Sequence, residues 1–462
     1  MATPGDVVIV SNRGPVSFTR ADDGSLIPRR GSGGLVSGLS PVVASTGALW
    51  VAAAMSDPDR EAAAQGTMDV DGLRVRLVDI DVATFTAAYE VVCNANLWFV
   101  HHGLFDATHR PAHDHRFDAA WASYRHVNVA MADAVAKEAP EGAVVLVQDY
   151  HLTLVAKFLA DIRPDLRCVH FTHTPFTDPD GLRLLPDAAA TEMLAGLGAH
   201  VACGFHTQRW ADRFVACCTE RGVTAPPTFV APLGPDPDDL ASSAASPAVA
   251  TASQAITALA GGRRLVVRVD RIEPSKNILR GLRAFDLLLT EYPQWREKVT
   301  FAAFIYPSRE TLPEYLAYRQ EVTSTVAWVN ERWGTADWVP VVANLGDDYP
   351  TSLAALGAYD VLLVNPIRDG LNLVAKEGPL LNGHDGVLVL SSEAGAADEL
   401  GDAALVVNPF DLAATAEALH RALTMGDPER AERATALRSL AAAHSPHTWF
   451  DAQVAAAEPN GP

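Results

Sequence analysis

Short runs of β-branched and aliphatic residues recur along this chain, each followed by a longer Ala- and Leu-rich stretch of helical character. A strand that passes through a helix before the next strand returns parallel to its predecessor, so this alternation predicts parallel sheet flanked by helices. The clearest strands of the first half are DVVIVS, AVVLVQ, RCVHFT and HVACGF. Those of the second half are RRLVVRV, VTFAAFI, PVVANL, YDVLLVN, GVLVLS and AALVV. Between them PDPDDLASSAASPAVATASQ, residues 235–254, reads as a linker whose last part continues into helix. At 462 residues, two doubly wound α/β domains are expected rather than one.

Polar residues gather where the strands end. DVVIVS runs into Asn12-Arg13-Gly14, AVVLVQ into Asp149-Tyr150-His151, and RCVHFT into His173. RRLVVRV leads to Asp270-Arg271 with Lys276 behind, VTFAAFIYP to Ser308-Arg309, and YDVLLVNPI to Arg368-Asp369-Gly370. Open α/β sheets bind ligands beyond the carboxyl ends of their strands. Six such ends, spread over both halves, predict two sheets whose C-terminal edges face each other across a cleft.

Bulk properties exclude several partners. The formal charge of -20 argues against nonspecific attachment to nucleic acid or an anionic membrane. MATPGDVVIVSNRGP lacks the basic and apolar regions of a signal peptide, and no apolar run reaches membrane-spanning length. Cys93, Cys168, Cys203, Cys217 and Cys218 form no metal-binding spacing and read as reduced core residues. A cytoplasmic enzyme or binding protein is expected.

Each candidate constellation has a plain alternative. RRGSGGLVSGL (29–39) could cradle a phosphate with glycine N–H groups or simply turn, and it lacks GxGxxG spacing. Arg271 and Lys276 in RVDRIEPSKN could grip a diphosphate, or be solvated charges in a loop. RDGLNLVAKE places Asp369 and Glu377 around a helix start, as caps or as acceptors for hydroxyl groups. His151 and His173 could be catalytic or merely hydrogen-bonded, and HRPAHDH (109–115) suits a polar loop better than a metal tract. Tyr89 and Trp98 could be core or a platform for a sugar ring. No GxSxG elbow supports nucleophilic hydrolysis.

Taken in order, the stretches VVIVSNRGP, GSGGLVSGL, YEVVCNANLW, VQDYHLTLVA, FTHTPF, RVDRIEPSKN, RDGLNLVAKE, VLSSEAGAADEL and VVNPFD resemble the trehalose-6-phosphate synthase family. Those proteins are retaining glycosyltransferases of the GT-B type, with two facing Rossmann-like domains and a cleft between them. The resemblance implies an acceptor-binding domain over 1–235, a linker region over 236–262 and a nucleotide-sugar-binding domain over 263–445. It also implies a C-terminal helix in 446–462 crossing back to the first domain. Arg271 and Lys276 would clamp the donor diphosphate, His173 would contact the donor sugar near its reacting carbon, and Asp149 would bind acceptor hydroxyls. Gly34, Asp369, Gly370, Asn372, Leu373, Val374 and Glu377 would bind the donor, with Glu377 on the ribose. Arg13, Tyr89, Trp98 and Arg309 would hold the acceptor, the two arginines at its phosphate.

The implied reaction moves glucose from GDP-glucose or UDP-glucose to glucose 6-phosphate with retention and no metal cofactor. A composition rich in Ala, Asp and Arg suits a high-GC genome, and on that ground GDP-glucose is expected ahead of UDP-glucose. No nucleic-acid or membrane partner is expected, and oligomeric state is left open. One departure stands out: family members carry a second tryptophan after LW, whereas LWVAAAM has alanine near Ala53. That keeps two rivals in view, a pseudo-glycosyltransferase joining a nucleotide-cyclitol to an amino-cyclitol phosphate, and a non-catalytic sugar-phosphate sensor.

Overall fold

The computed structural model describes residues 6–31, 39–40, 42–43 and 46–458. Its chain divides into two units, one of Met1–Leu233 with Pro446–Pro462 and one of Gly234–Ser445.

Among the described residues the first unit has ten strands: β1 (Val7–Ser11), β2 (Val16–Arg20), β3 (Leu26–Arg30), β4 (Leu49–Ala53), β5 (Thr67–Val70), β6 (Leu73–Val78), β7 (Val144–Gln148), β8 (Arg167–Thr172), β9 (Ala202–Phe205) and β10 (Thr228–Val230). Eight form one sheet in the order β10-β9-β8-β7-β1-β4-β6-β5, and β2 with β3 makes a separate hairpin. Within the large sheet only β5 is antiparallel to its neighbour. Strands β1, β4 and β7 are buried at every position, as central strands covered on both faces must be. The chain steps from β1 to β4 and β6 on one side, then returns to β7 on the other side of β1. The loops after β1 and β7 thus flank a topological switch point, where sheets of this kind take ligands. Helix Pro446–Ala456 belongs to this unit, and its Gln453 accepts a hydrogen bond of 2.9 Å from Gln148 at the end of β7.

LWVAAAM contributes β4, a strand that the sequence reading did not recognise. Trp50 is fully buried there and donates from Nε1 to Ser11 Oγ at 2.7 Å. Ala53 and Ala54, where the missing tryptophan drew attention, are buried as well.

The second unit contains β11 (Arg264–Ile272), β12 (Val299–Pro307), β13 (Val341–Asn344), β14 (Val361–Val364), β15 (Val387–Ser391) and β16 (Leu405–Val407). Their order, β13-β12-β11-β14-β15-β16, is the doubly wound Rossmann order, and every pairing is parallel. Alternate residues feed two separate cores. Leu265, Val267, Leu362, Val364, Leu388 and Leu390 face helices Pro247–Ala260, Tyr349–Ala358 and Asp427–Ala441. Val266, Leu363 and Val389 face helices Ile278–Glu291, Pro313–Trp333 and Leu412–Thr424. The two-residue period of a strand buries both faces at once.

The stretch 236–262, expected as a linker, is largely two helices, Pro237–Ala244 and Pro247–Ala260. Asp236 and Ser246 cap them, and each proline sits in the first turn, where its missing N–H costs nothing. Leu240, Val249, Ala252 and Ile256 are buried in the second unit's core. The Pro, Ser and Asp content that suggested a linker is helix-start chemistry.

Candidate functional site

In the first unit the expected residues collect around the loops after β1, β7 and β8. Ser11 Oγ donates to the Arg13 carbonyl at 2.6 Å, and the Arg13 guanidinium reaches the Tyr89 hydroxyl at 3.4 Å. Tyr89 lies on a π-helical stretch, Ala87–Leu97, a wide turn geometry that recurs at functional sites. Its ring stacks between Phe85 and His151, at centroid distances of 5.6 and 5.9 Å. Trp98 is buried and stacked on His102 at 3.9 Å, so most of its indole is packed interior.

Asp149 has φ 69° and ψ 169°, a backbone region that favours glycine. Its N–H donates to the Phe171 carbonyl at 2.8 Å, and its Oδ1 accepts from the His173 N–H at 3.1 Å. Those bonds aim the carboxylate across the ends of β7 and β8. The His173 ring pairs Nε2 with Gln148 Oε1 at 3.0 Å, which casts that nitrogen as the donor. Burial pushes the His173 imidazole down to about 3, so it is neutral across the physiological range. A neutral ring held in this way suits a fixed polar contact rather than proton transfer. Gly34, with most of the glycine-rich motif, lies outside the described residues.

In the second unit the switch point falls between β11 and β14, and both flanking loops carry the expected groups. Lys276 Nζ meets Asp369 Oδ2 at 2.6 Å, joining the two loops by an ion pair. Burial opposes the Lys276 charge, but Asp369, Asp270 and Glu273 outweigh it and hold the ammonium above its ordinary value. Beneath lies Arg268, fully buried, which donates to Asp270 Oδ2 and to Asn365 Oδ1, each at 2.8 Å, and also to the Lys276 carbonyl. Asn277, in a left-handed conformation with φ 58°, donates to the carbonyls of Asn365 at 3.0 Å and Pro409 at 2.8 Å. RVDRIEPSKN, the end of β14 and VVNPFD are thereby tied into one frame. Arg268 and Asn277 were not singled out from sequence, because Asn365 and Pro409, which tie them to other loops, lie 88 to 132 residues further along the chain.

Asn372, at φ 85°, donates from its amide to Asp369 Oδ2 at 3.1 Å and accepts from Ala375 N–H at 3.1 Å. It accepts from a first-turn N–H of helix Val374–Leu381, just ahead of the Leu373 N-cap, and braces Asp369 at the same time. With Ala375 N–H on Asn372 Oδ1 and Lys376 N–H on the Leu373 carbonyl, the helix start still presents its positive dipole end, which suits an anion. Lys376 turns away from this surface; it is fully buried and paired with Glu399 at 2.8 Å. Glu377 is partly exposed, and burial pushes its carboxyl up to about 7. The turn is buttressed from behind. Asp369 N–H donates to the Glu393 carbonyl, Gly395 N–H to that of Asp369, and Ala396 N–H to that of Leu371, at 3.1, 3.1 and 2.8 Å. A side chain on Gly395 would collide with the Gly370 carbonyl and crowd Leu371 Cα at 3.0 Å. This is the work of VLSSEAGAADEL, whose role the sequence did not disclose.

Arg271 and Arg309 lie at the ends of the neighbouring strands β11 and β12 and meet at Glu273, 3.1 and 3.9 Å from its two oxygens. The histidines of HRPAHDH are dispersed: His109 bonds Asp106 at 2.7 Å, His113 the Leu184 carbonyl at 2.9 Å, and Asp114 caps helix His115–Glu138. No cluster of three His, Cys, Asp or Glu residues able to hold a metal ion occurs among the described residues.

The sequence model of glycosyltransferase family 20 matches residues 5–458. Among curated proteins, the chain is 34% identical to a trehalose-6-phosphate synthase of Mycolicibacterium vanbaalenii, covering 96% of this chain and 94% of the relative. It is 31% identical to the alpha,alpha-trehalose-phosphate synthase (UDP-forming) 2 of Aspergillus niger, covering 97% and 96%. Among solved structures, one described as trehalose-6-phosphate from E. coli bound with UDP-2-fluoro glucose aligns with a TM-score of 0.85 at 27% identity, covering 98% of both chains. The alpha,alpha-trehalose 6-phosphate synthase of Burkholderia multivorans aligns equally well, at 0.85 and 28% identity over 98% and 96% of the two chains.

Proposed function

The chain belongs to glycosyltransferase family 20, and on that premise we propose that it transfers glucose from a nucleotide-glucose to glucose 6-phosphate with retention. The products are α,α-trehalose 6-phosphate and a nucleoside diphosphate. The observation that carries this reading is the Lys276–Asp369 junction at the Rossmann switch point, beside the start of helix Val374–Leu381. A sugar nucleotide presents anionic phosphates and neutral hydroxyls together, and this surface offers cations and N–H groups next to hydroxyl-accepting carboxylates.

Arg271 and Lys276 bind the diphosphate, Asp369 the hydroxyls of the donor glucose and Glu377 those of the ribose. The backbone of Gly370, Asn372, Leu373 and Val374 completes the donor contact. Arg13 and Arg309 take the acceptor phosphate, with Tyr89 and Trp98 forming the wall beside it and Asp149 accepting from the acceptor hydroxyls. As the anomeric C–O bond to the diphosphate breaks, an acceptor hydroxyl attacks from the same face. Its proton passes to the departing phosphate oxygen. Arg271 and Lys276 stabilise the charge that gathers there, and positioning supplies the rest. His173, held neutral, lends a hydrogen bond near the reacting carbon. Asp369, engaged by Lys276 and Asn372, is an orienting group and not a nucleophile.

Relatives named as UDP-forming, and a neighbour bound to a UDP-sugar, support UDP-glucose over the GDP-glucose that composition suggested. The cyclitol-coupling and sensor readings gain nothing from these relatives. A coupled assay offering glucose 6-phosphate with UDP-glucose and with GDP-glucose separately tests the proposal. Nucleoside diphosphate release that depends on glucose 6-phosphate is the expected result, and none with either donor refutes it.

A further inference from the structure

Glu273 has no part in the function just described, yet it occupies a costly position. It is fully buried, where a carboxylate is tolerated only if cations and donors meet it. Oε1 accepts from the Arg271 guanidinium and from the Ser275 hydroxyl, both at 3.1 Å. Oε2 lies 3.9 Å from the Arg309 guanidinium and makes no hydrogen bond among the described residues. Arg309 is itself held from a second side by the Tyr315 hydroxyl at 2.9 Å, and its backbone is left-handed with φ 49°. The Arg271 charge is favoured above all by Glu273, against burial and against the like charge of Arg309.

We propose that Glu273 is a positioning residue that sets Arg271 and Arg309 for two different phosphate-bearing ligands, so that both ligand sites share one buried counter-ion. The proposal rests on the reading above, in which Arg271 takes the donor diphosphate and Arg309 the acceptor phosphate. Two guanidiniums with one carboxylate between them keep a single net positive charge for the incoming anions. The acid offsets their mutual repulsion while both sites are empty. The two grips are unequal: the 3.1 Å contact is a charge-assisted hydrogen bond, whereas the 3.9 Å contact is an ion pair alone. Arg271 is therefore fixed more closely by Glu273 than Arg309 is, and a phosphate can supplement the longer Arg309 contact.

Glu273→Gln in the full chain keeps the shape and removes the charge. The expected result is a rise of about tenfold in KM for both the nucleotide-glucose and glucose 6-phosphate, with a smaller fall in kcat. Glu273→Asp keeps the charge on a shorter stem, so it recovers most of the donor KM while the acceptor KM stays raised, because the longer contact is the one lost. A purely structural role lowers the yield or melting point of folded protein and leaves both KM values at wild type; that outcome overturns the proposal. A rise in only one KM in Glu273→Gln also overturns it. Should that variant not fold, wild-type values for both substrates in Glu273→Asp do the same. Wild-type protein inactive with every nucleotide-glucose refutes the proposed function instead. Calorimetry with UDP and with glucose 6-phosphate then decides the role of Glu273, and unchanged affinity for both in Glu273→Gln overturns it.

Discussion

Glu377 offers a test whose sign and size both come from its surroundings. Burial raises its carboxyl from an ordinary 4.5 to about 7. A carboxyl with a raised folded value keeps its proton longer in the folded chain than in the unfolded one. Stability is therefore lost as pH rises from about 4.5 to about 7 and is level above that. A rise of about 2.5 in pKa, at 1.36 kcal/mol per unit, sets a ceiling of about 3 kcal/mol. Partial solvent access and a place in the first turn of its helix trim this to about 1–2 kcal/mol. Glu377→Gln removes the titration, so the variant should match wild type near pH 4.5 and exceed it by that amount at pH 8. In thermal unfolding that is a gain of roughly 2–4 °C per kcal/mol for a domain of this size. The same variant should bind nucleotide more weakly, because ribose hydroxyls need an ionised acceptor. Wild-type binding should release protons near pH 7, seen as a dependence of binding heat on buffer ionisation enthalpy. A variant no more stable than wild type at pH 8, or a difference constant from pH 5 to 8, refutes the reasoning.

Arg271→Ala and Lys276→Ala should each lower kcat about 10²–10³-fold while circular dichroism shows the fold intact, because a developing phosphate charge loses its partner. Near-normal rates in both contradict their assignment. Arg13→Ala should raise the acceptor KM about tenfold with little change in donor KM, measured by initial rates at saturating donor. Gly234→Ala should destabilise by about 1–3 kcal/mol in thermal unfolding, since its methyl group collides with the His444 carbonyl and lies 3.0 Å from Ser445 N. An unchanged melting point would mean that these two segments are not in close contact.

Much of the fold was legible because buried parallel strands leave an unbroken apolar run. DVVIVS, AVVLVQ and YDVLLVN all formed central strands for that reason. LWVAA was overlooked because alanine carries little strand signal, although its burial is complete. The stretch after Pro235 misled because proline starts helices as readily as it interrupts them. At the site, single charged residues at strand ends could be named, but not their pairing. Lys276 and Asp369 are 93 residues apart, and only the return of β14 beside β11 brings them together. Burial states were hidden for the same reason: nothing local to Glu377 or His173 announces a displaced pKa, whose cause is the neighbours that exclude water.

The close backbone approach of Gly395 to Gly370 has a consequence for how such enzymes can vary. The turn at 369–372 and the segment at 393–396 are interlocked backbones, not a loop resting on a platform. A chimera with its crossover between these stretches would combine halves never fitted to each other, even if every ligand-facing side chain were retained. Recombination or directed evolution aimed at donor choice should therefore exchange both stretches as one cassette.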